Sequence, residues 1–445
     1  MAEPDASPKG KGVLSIKPFR RMWSASLVSS FGDWIGLVAI TALAQRVSKG
    51  TGEGAVALVL SARLLPGFFL GPLAGVVLDR FDRRRVMLIC DIGRALVFAF
   101  LPFVDTVLGL FFASLFLEAL SIGWSSAKEA TVPNLVPTAQ LAGANSASVA
   151  AAYGTFPLGS LAFSLLAALS APLGRIGPLH ALRVNKESLA LWADGFTFIA
   201  SFFLVRSVEF PKRERIHVDG AEQNVFRDLR DGWKYIGTNS RVRSVLLGLA
   251  AGLFGGGMLV PLGATFATKD LGGGPAGFGA LISALGFGVA ISVIGLSLLQ
   301  ARLKPEPMFI GSLFVAAACI SLGATASSMT PAVLWVGGLG LCAGGVYVLG
   351  FTIIQTNVED ELRGRVFATL YAMIRVVVLA SFTVAPIMSR LLGSLASTIG
   401  FHVSGVRVAL WAAAGIISLA GLGSVLSLRD SMSARERHPT SNATT

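Results

Sequence analysis

The sequence is poor in charge. Asp, Glu, Lys and Arg make up 14% of its 445 residues, where a soluble globular chain carries about 25%. That shortage excludes the string of soluble domains that the length alone would suggest. Histidine and cysteine are scarce too. His180, His217, His402 and His438 stand far apart and form no H-x-x-x-H pair. Cys90, Cys319 and Cys342 sit inside apolar runs without metal-ligand spacing, which reads as core packing. No metal site and no cofactor is expected. No G-x-x-x-x-G-K-[ST] phosphate loop occurs, which argues against ATP hydrolysis, and the chain is not expected to be an enzyme. The N-terminal stretch MAEPDASPKGKGVLSIKPFRR lacks the early apolar core of a cleavable signal peptide. The first apolar run is therefore expected to serve as an uncleaved signal-anchor.

What the chain has in abundance is apolar sequence, 53% of the total. It is gathered into runs of roughly 18 to 25 residues, the length a helix needs to cross about 30 Å of hydrocarbon. Twelve runs are found, at 22–45, 54–78, 86–104, 107–128, 145–172, 189–206, 243–267, 276–300, 307–326, 331–356, 365–391 and 407–428. They do not alternate apolar with polar residues, as barrel strands do. The expected fold is an all-α integral membrane protein with twelve transmembrane helices. Most of the 37 Lys and Arg fall in the tails and even-numbered loops, and Arg63, Arg94 and Arg375 lie within spans. Both termini are then cytoplasmic. The same bias accounts for the net charge of +12, so no nucleic-acid partner is implied.

The longest loop divides the spans six and six. The expected layout is an N-terminal tail (1–21), a six-helix bundle (22–206), a cytoplasmic linker (207–242), a second six-helix bundle (243–428) and a C-terminal tail (429–445). Within the linker Phe226, Leu229, Trp233 and Ile236 recur three or four apart, which predicts an amphipathic helix. PNLVPTAQLAGANSASVAAAY after the fourth span and QTNVEDELRGRVFATLYAM after the tenth hold corresponding places in the two halves. Parallel six-span repeats are one way to build a transporter around a midplane site.

Between the second and third spans stands DRFDRRR, charged at every position but one. With the residues before it, Gly75, Asp79, Arg80, Asp82, Arg83 and Arg84 resemble the loop motif G-x-x-x-D-R-x-G-R-R of the major facilitator superfamily. Asp82 stands where glycine is usual. That variant resembles the branch of bacterial efflux proteins that includes enterobactin and macrolide exporters, as do FGDWIGLVAITAL, VPNLVPTAQLAGANS and ELRGRVF. The resemblance covers roughly residues 15–430. It implies that the loop latches the two halves on the cytoplasmic side, with Asp79 near the start of span eleven and the arginines facing Glu359, Asp360 and Glu361, beside Arg363. The antiporter signature of span five is met only in part: Pro157 and Gly159 are present, and Phe156 replaces a glycine.

Ionisable residues inside a membrane are costly and mark function by default. Asp33 shares a helix face with Ser26, Ser29, Ser30 and Gly36, and Glu118 with Ser114, Ser121 and Ser125. Arg63 falls at a similar depth. The resemblance places these three and Arg375 on cavity-lining helices, as candidates for proton coupling. Asp91 and Arg94 read as a local i, i+3 pair, and Asp194, on a peripheral helix, as structural. Glycine-rich LFGGGML and GGLGLCAGGV read as helix packing. The expectation is a monomeric inner-membrane transporter, exporting small amphipathic molecules in exchange for protons by alternating access. The other classes are an importer or lipid translocase on the same fold, and a non-transporting membrane sensor.

Overall fold

The structure, a computed structural model, describes residues 13–48, 52–78, 81–137, 140–177, 185–209, 225–299, 304–358, 360–401 and 403–437. The chain divides into two compact units. One comprises Met1–Val47 with Ala62–Ile216, the other Ser48–Ser61 with His217–Thr445. The opening turns of the second span therefore group with the later unit, although the sequence places that whole span in the first bundle.

The first unit is built on α1 (Lys17–Val47), most of α2 (Glu53–Leu78), α3 (Arg83–Phe100), α4 (Val107–Thr131), α5 (Leu141–Tyr153), α6 (Phe156–Leu173) and α7 (Ser188–Arg206). The polar residues just before the helices cap them. Asp82 accepts the Arg85 amide at 2.8 Å, and Thr106 accepts that of Gly109 at 3.2 Å. Each bond satisfies one of the amides that a helix N-terminus leaves unpaired. Helix α7 packs against both α1 and α3. The fifth apolar run is two helices rather than one. Pro157, in the first turn of α6, has no amide to continue the ladder from α5, and the chain steps at Gly154 and Thr155.

The second unit holds α8 (Val225–Thr238), α9 (Ser240–Gly257), α10 (Leu259–Thr265), α11 (Gly274–Leu299), α12 (Pro305–Thr325), α13 (Met329–Asn357), α14 (Asp360–Thr398) and α15 (Gly405–Arg437). Its glycine-rich stretches do pack helices. A side-chain carbon at Gly340 would overlap the Leu285 carbonyl, and one at Gly288 the Gly337 carbonyl. Helices α11 and α13 thus meet backbone to backbone, the contact that small residues allow within membranes. The seventh run is broken as well: α9 ends at Gly257, α10 follows, and Phe266–Asp270 forms one π-helical turn. The predicted amphipathic helix is present as α8, but its inward side differs from the expectation. Trp233 is exposed, whereas Ile236 is buried and the Tyr235 hydroxyl donates to the Asn357 carbonyl at 3.1 Å.

Helices occupy all twelve apolar runs, and among the described residues eleven segments are long and apolar enough to cross a membrane. Large apolar side chains such as Phe100, Phe112, Phe116, Leu334 and Leu419 are left exposed along them. An outer surface of this kind suits hydrocarbon and not water.

Candidate functional site

Three of the four membrane-embedded candidates meet in the first unit. Arg63, on α2, lies between two acids: its Nη2 is 4.0 Å from Asp33 Oδ1 on α1, and its Nε is 3.7 Å from Glu118 Oε2 on α4. Arg94 extends the chain of charges. Its Nη1 is 3.6 Å from Asp33 Oδ2, and its Nη2 donates to Asp91 Oδ1 at 2.6 Å. Ser201 of α7 donates to the other Asp91 oxygen at 3.0 Å. The Arg94 guanidinium lies 4.1 Å from the centre of the Phe198 ring and 5.4 Å from that of Trp124, so its faces are covered by aromatic rings.

Asp91 and Arg94 do form the expected i, i+3 pair, but they are more than local: Arg94 links that pair to Asp33. Asp194 is also not a bystander. Its carboxylate lies where side chains would stand on α1 at Gly32 and Gly36, and a carbon at either position would overlap it. The Thr197 hydroxyl shares its one hydrogen between the Asp194 backbone carbonyl at 2.8 Å and Oδ1 at 3.1 Å, while Oδ2 is buried without a hydrogen-bond partner. The missed signal lay in FGDWIG, a small-x-x-x-small pair that admits a neighbouring helix closely. The neighbour it admits carries an acid.

The network is graded in access. The Asp33 and Glu118 side chains keep 30% and 26% exposure, and Arg63 keeps 13%. Arg94 keeps 2%, and Asp91 and Asp194 none. Burying such ions costs several kcal/mol each, at order of magnitude, unless they pair. The arrangement can thus take up or give off protons at its open end and redistribute ion pairs behind it. Among the described residues, no group of three or more His, Cys, Asp or Glu is arranged to hold a metal ion.

Arg375 belongs to the other unit. It is exposed on α14, four residues after Tyr371 and so on the same helix face. Tyr371 forms an aromatic cluster with Tyr347, Phe351 and Phe367, in which Tyr347 and Phe351 stack with centroids 4.3 Å apart. Of the loop motif, Asp79 and Arg80 lie outside the described residues. Gly75 ends within α2 and Asp82 caps α3. Arg83 donates to the Ala130 carbonyl at 2.5 Å, and Arg84 to the Arg206 carbonyl. Both therefore hold exposed carbonyls at or near the C-terminal ends of α4 and α7, where positive charge is favoured. Glu361 and Arg363 fall on α14, with side chains outside the described set.

Comparison with known proteins gives consistent results. The family described as "transmembrane secretion effector", of the major facilitator type, matches residues 11–442. The MFS-type transporter YkuC of Bacillus subtilis is 28% identical over 384 residues, covering 80% of this chain and 81% of that protein. The MFS-type transporter Rv0037c of Mycobacterium tuberculosis is 27% identical over 395 residues, covering 84% and 86%. Among solved structures, a bacterial homologue of the human lysosomal transporter Spinster aligns with a TM-score of 0.71 at 15% identity, over 93% of this chain and 97% of that one. The nucleoside transporter NupG gives 0.66 at 11% identity, over 92% and 99%. A D-xylose–proton symporter gives 0.62 at 14%, over 90% and 96%.

Proposed function

Because the chain belongs to the transmembrane secretion effector family of the major facilitator superfamily, we propose that it is a proton-coupled exporter of small amphipathic molecules. Membership makes it a multi-pass membrane transporter and not an enzyme. The finer reading is that twelve spans cross the inner membrane with both termini in the cytoplasm. The protein works as a monomer by alternating access. The observation that carries the coupling is the bridging of two half-open acids, Asp33 and Glu118, by one arginine, Arg63. Protonation of either acid releases its hold on Arg63 and leaves the guanidinium to the other. A group that must ionise and neutralise in turn needs both an accessible oxygen and a charge partner, and these acids have both.

The substrate class follows from the second unit. The cluster of Tyr347, Phe351, Phe367 and Tyr371, with Arg375 on the same face of α14, offers flat apolar surface beside polar groups. Such a surface suits an amphipathic drug, siderophore or secondary metabolite. The D-xylose–proton symporter of the same fold supports coupling to protons in this architecture. The family's character as secretion effectors supports secretion over uptake. The loop carrying Asp79, Arg80, Asp82, Arg83 and Arg84 acts in this reading as a cytoplasmic latch toward Glu361 and Arg363.

The test uses the purified protein in liposomes, with ethidium as a lipophilic cationic probe and an imposed pH gradient. Asp33→Asn and Glu118→Gln are expected to abolish gradient-driven movement and to retain gradient-free exchange. Thermal unfolding in detergent controls for folding. If both variants are stable and still driven by the gradient, neither acid couples. If the wild-type protein moves the probe inward, toward the cytoplasmic face, the export reading gives way to import.

A further inference from the structure

We propose that Asp194 is a second proton-carrying group of the cluster, held as a neutral carboxylic acid behind Asp33. The inference deepens the proton-coupled reading above and rests on it for its role in transport. It starts from charge. The cluster contains four carboxyl groups, Asp33, Asp91, Glu118 and Asp194, against two guanidinium groups, Arg63 and Arg94. Fully ionised, it would leave two uncompensated negative charges inside the membrane. A buried ion without a partner is driven to neutralise itself. Two protons are therefore needed, and the geometry indicates where one of them sits.

Asp91 is an ion. It binds Arg94 at 2.6 Å and accepts a further bond from Ser201. Asp33 and Glu118 share Arg63, and Asp33 has Arg94 as well. Asp194 is different. Among the described residues no Lys or Arg forms an ion pair with it, its side chain is fully buried, and Oδ2 meets no donor. The groups that face it are known from every packed helix. Of the helices packed on α7, α1 carries Asp33 and α3 carries Arg94, and both act on it electrostatically, as does Arg63 of α2; α6 carries no ionisable residue. The adjacent charge on α1 is a like charge, and both arginines are engaged by other acids. A proton on Oδ2 relieves the repulsion and leaves Oδ1 to accept from Thr197.

When Asp33 takes up a proton from the accessible side, Arg94 and Arg63 lose their hold on it. Either guanidinium can then turn to Asp194, whose carboxylate takes the freed positive charge as its proton passes to bulk water. Proton count and charge balance: one proton enters at Asp33 and one leaves from Asp194. The close fit over Gly32 and Gly36 keeps water away in the meantime.

The experiment is infrared spectroscopy of the purified, detergent-solubilised chain at neutral pH, read at the carboxylic-acid carbonyl stretch. Asp194→Asn should fold with little change in thermal stability, because an amide matches a neutral carboxyl in shape and charge, and should remove one acid band. Asp33→Asn should leave that band in place. An unchanged spectrum in Asp194→Asn overturns the proposal, because Asp194 would then be ionised. So does an Asp194→Asn chain that fails to fold while Asp194→Glu folds, since the site would then require a negative charge. Neither result bears on whether Asp33 and Glu118 couple transport, which the gradient experiment decides separately.

Discussion

The two units solve the problem of a membrane interior by opposite means. The first places charge at its centre: Arg94 is among its largest fully buried side chains, wedged between Asp91, Asp33 and the Phe198 ring. The second keeps the ion pairs described for it near helix ends, Arg407 with Asp270 at 3.3 Å and Arg241 with Glu306 at 3.8 Å, and fills its interior by backbone contact. Pairing of buried ions is weak evidence for stability, because well-packed apolar groups would often do as well. A charged centre next to an apolar alternative in the same chain therefore points to function. On the proposed reading, the first unit retains its ions for protonation.

The comparison can be broken most sharply at Arg94. Arg94→Leu leaves Asp91 buried with only Ser201 and is expected to destabilise the protein by about 3–5 kcal/mol, read as a lowered midpoint of thermal unfolding in detergent. A loss below about 1 kcal/mol would mean that the cluster is already neutral without Arg94. The matching test in the second unit is Gly340→Leu, which forces α11 from α13. Overpacking of this kind costs about 1–3 kcal/mol, and ethidium transport should fall only as far as stability does. The smallest stability effect is expected from Arg375→Gln, an exposed residue, at less than about 0.5 kcal/mol. There the change should appear as a raised KM for the amphipathic probe, with the pH dependence of transport unaltered. A changed pH profile in Arg375→Gln would erase the division of roles between the units.

Much of the architecture was readable from the sequence because the bilayer imposes a length on every span. Helices stand at all the apolar runs, and Thr106, Asp82 and Asn239 mark helix starts where small polar residues precede such runs. The breaks at Gly154–Thr155 and after Gly257 were not legible, because hydropathy does not register a missing amide or a wide turn. Asp33, Arg63 and Glu118 could be found by depth, since an ion inside a span is conspicuous wherever it lies. The link from Asp33 to Arg94, and the burial of Asp194, depend on which helices touch. A helix shows its apolar face in sequence but not the neighbour that face meets, so α7 was read as peripheral although it packs on both α1 and α3. Trp233 shows the same limit: its period puts it with Ile236, yet only Ile236 is covered. The cytoplasmic latch is a matter of motif alone, because Asp79 and Arg80 lie outside the described residues.

The seat of Asp194 also constrains how this chain can change by descent. Gly32 and Gly36 have no room for even a methyl group while the carboxylate occupies its place. The acid is not the only obstacle: Thr197 also fills the space over Gly32, and the Phe98 ring that over Gly36, so a side chain at either glycine would have to displace these as well. The three positions are coupled sterically, although two lie in the first helix of the unit and the third in its last.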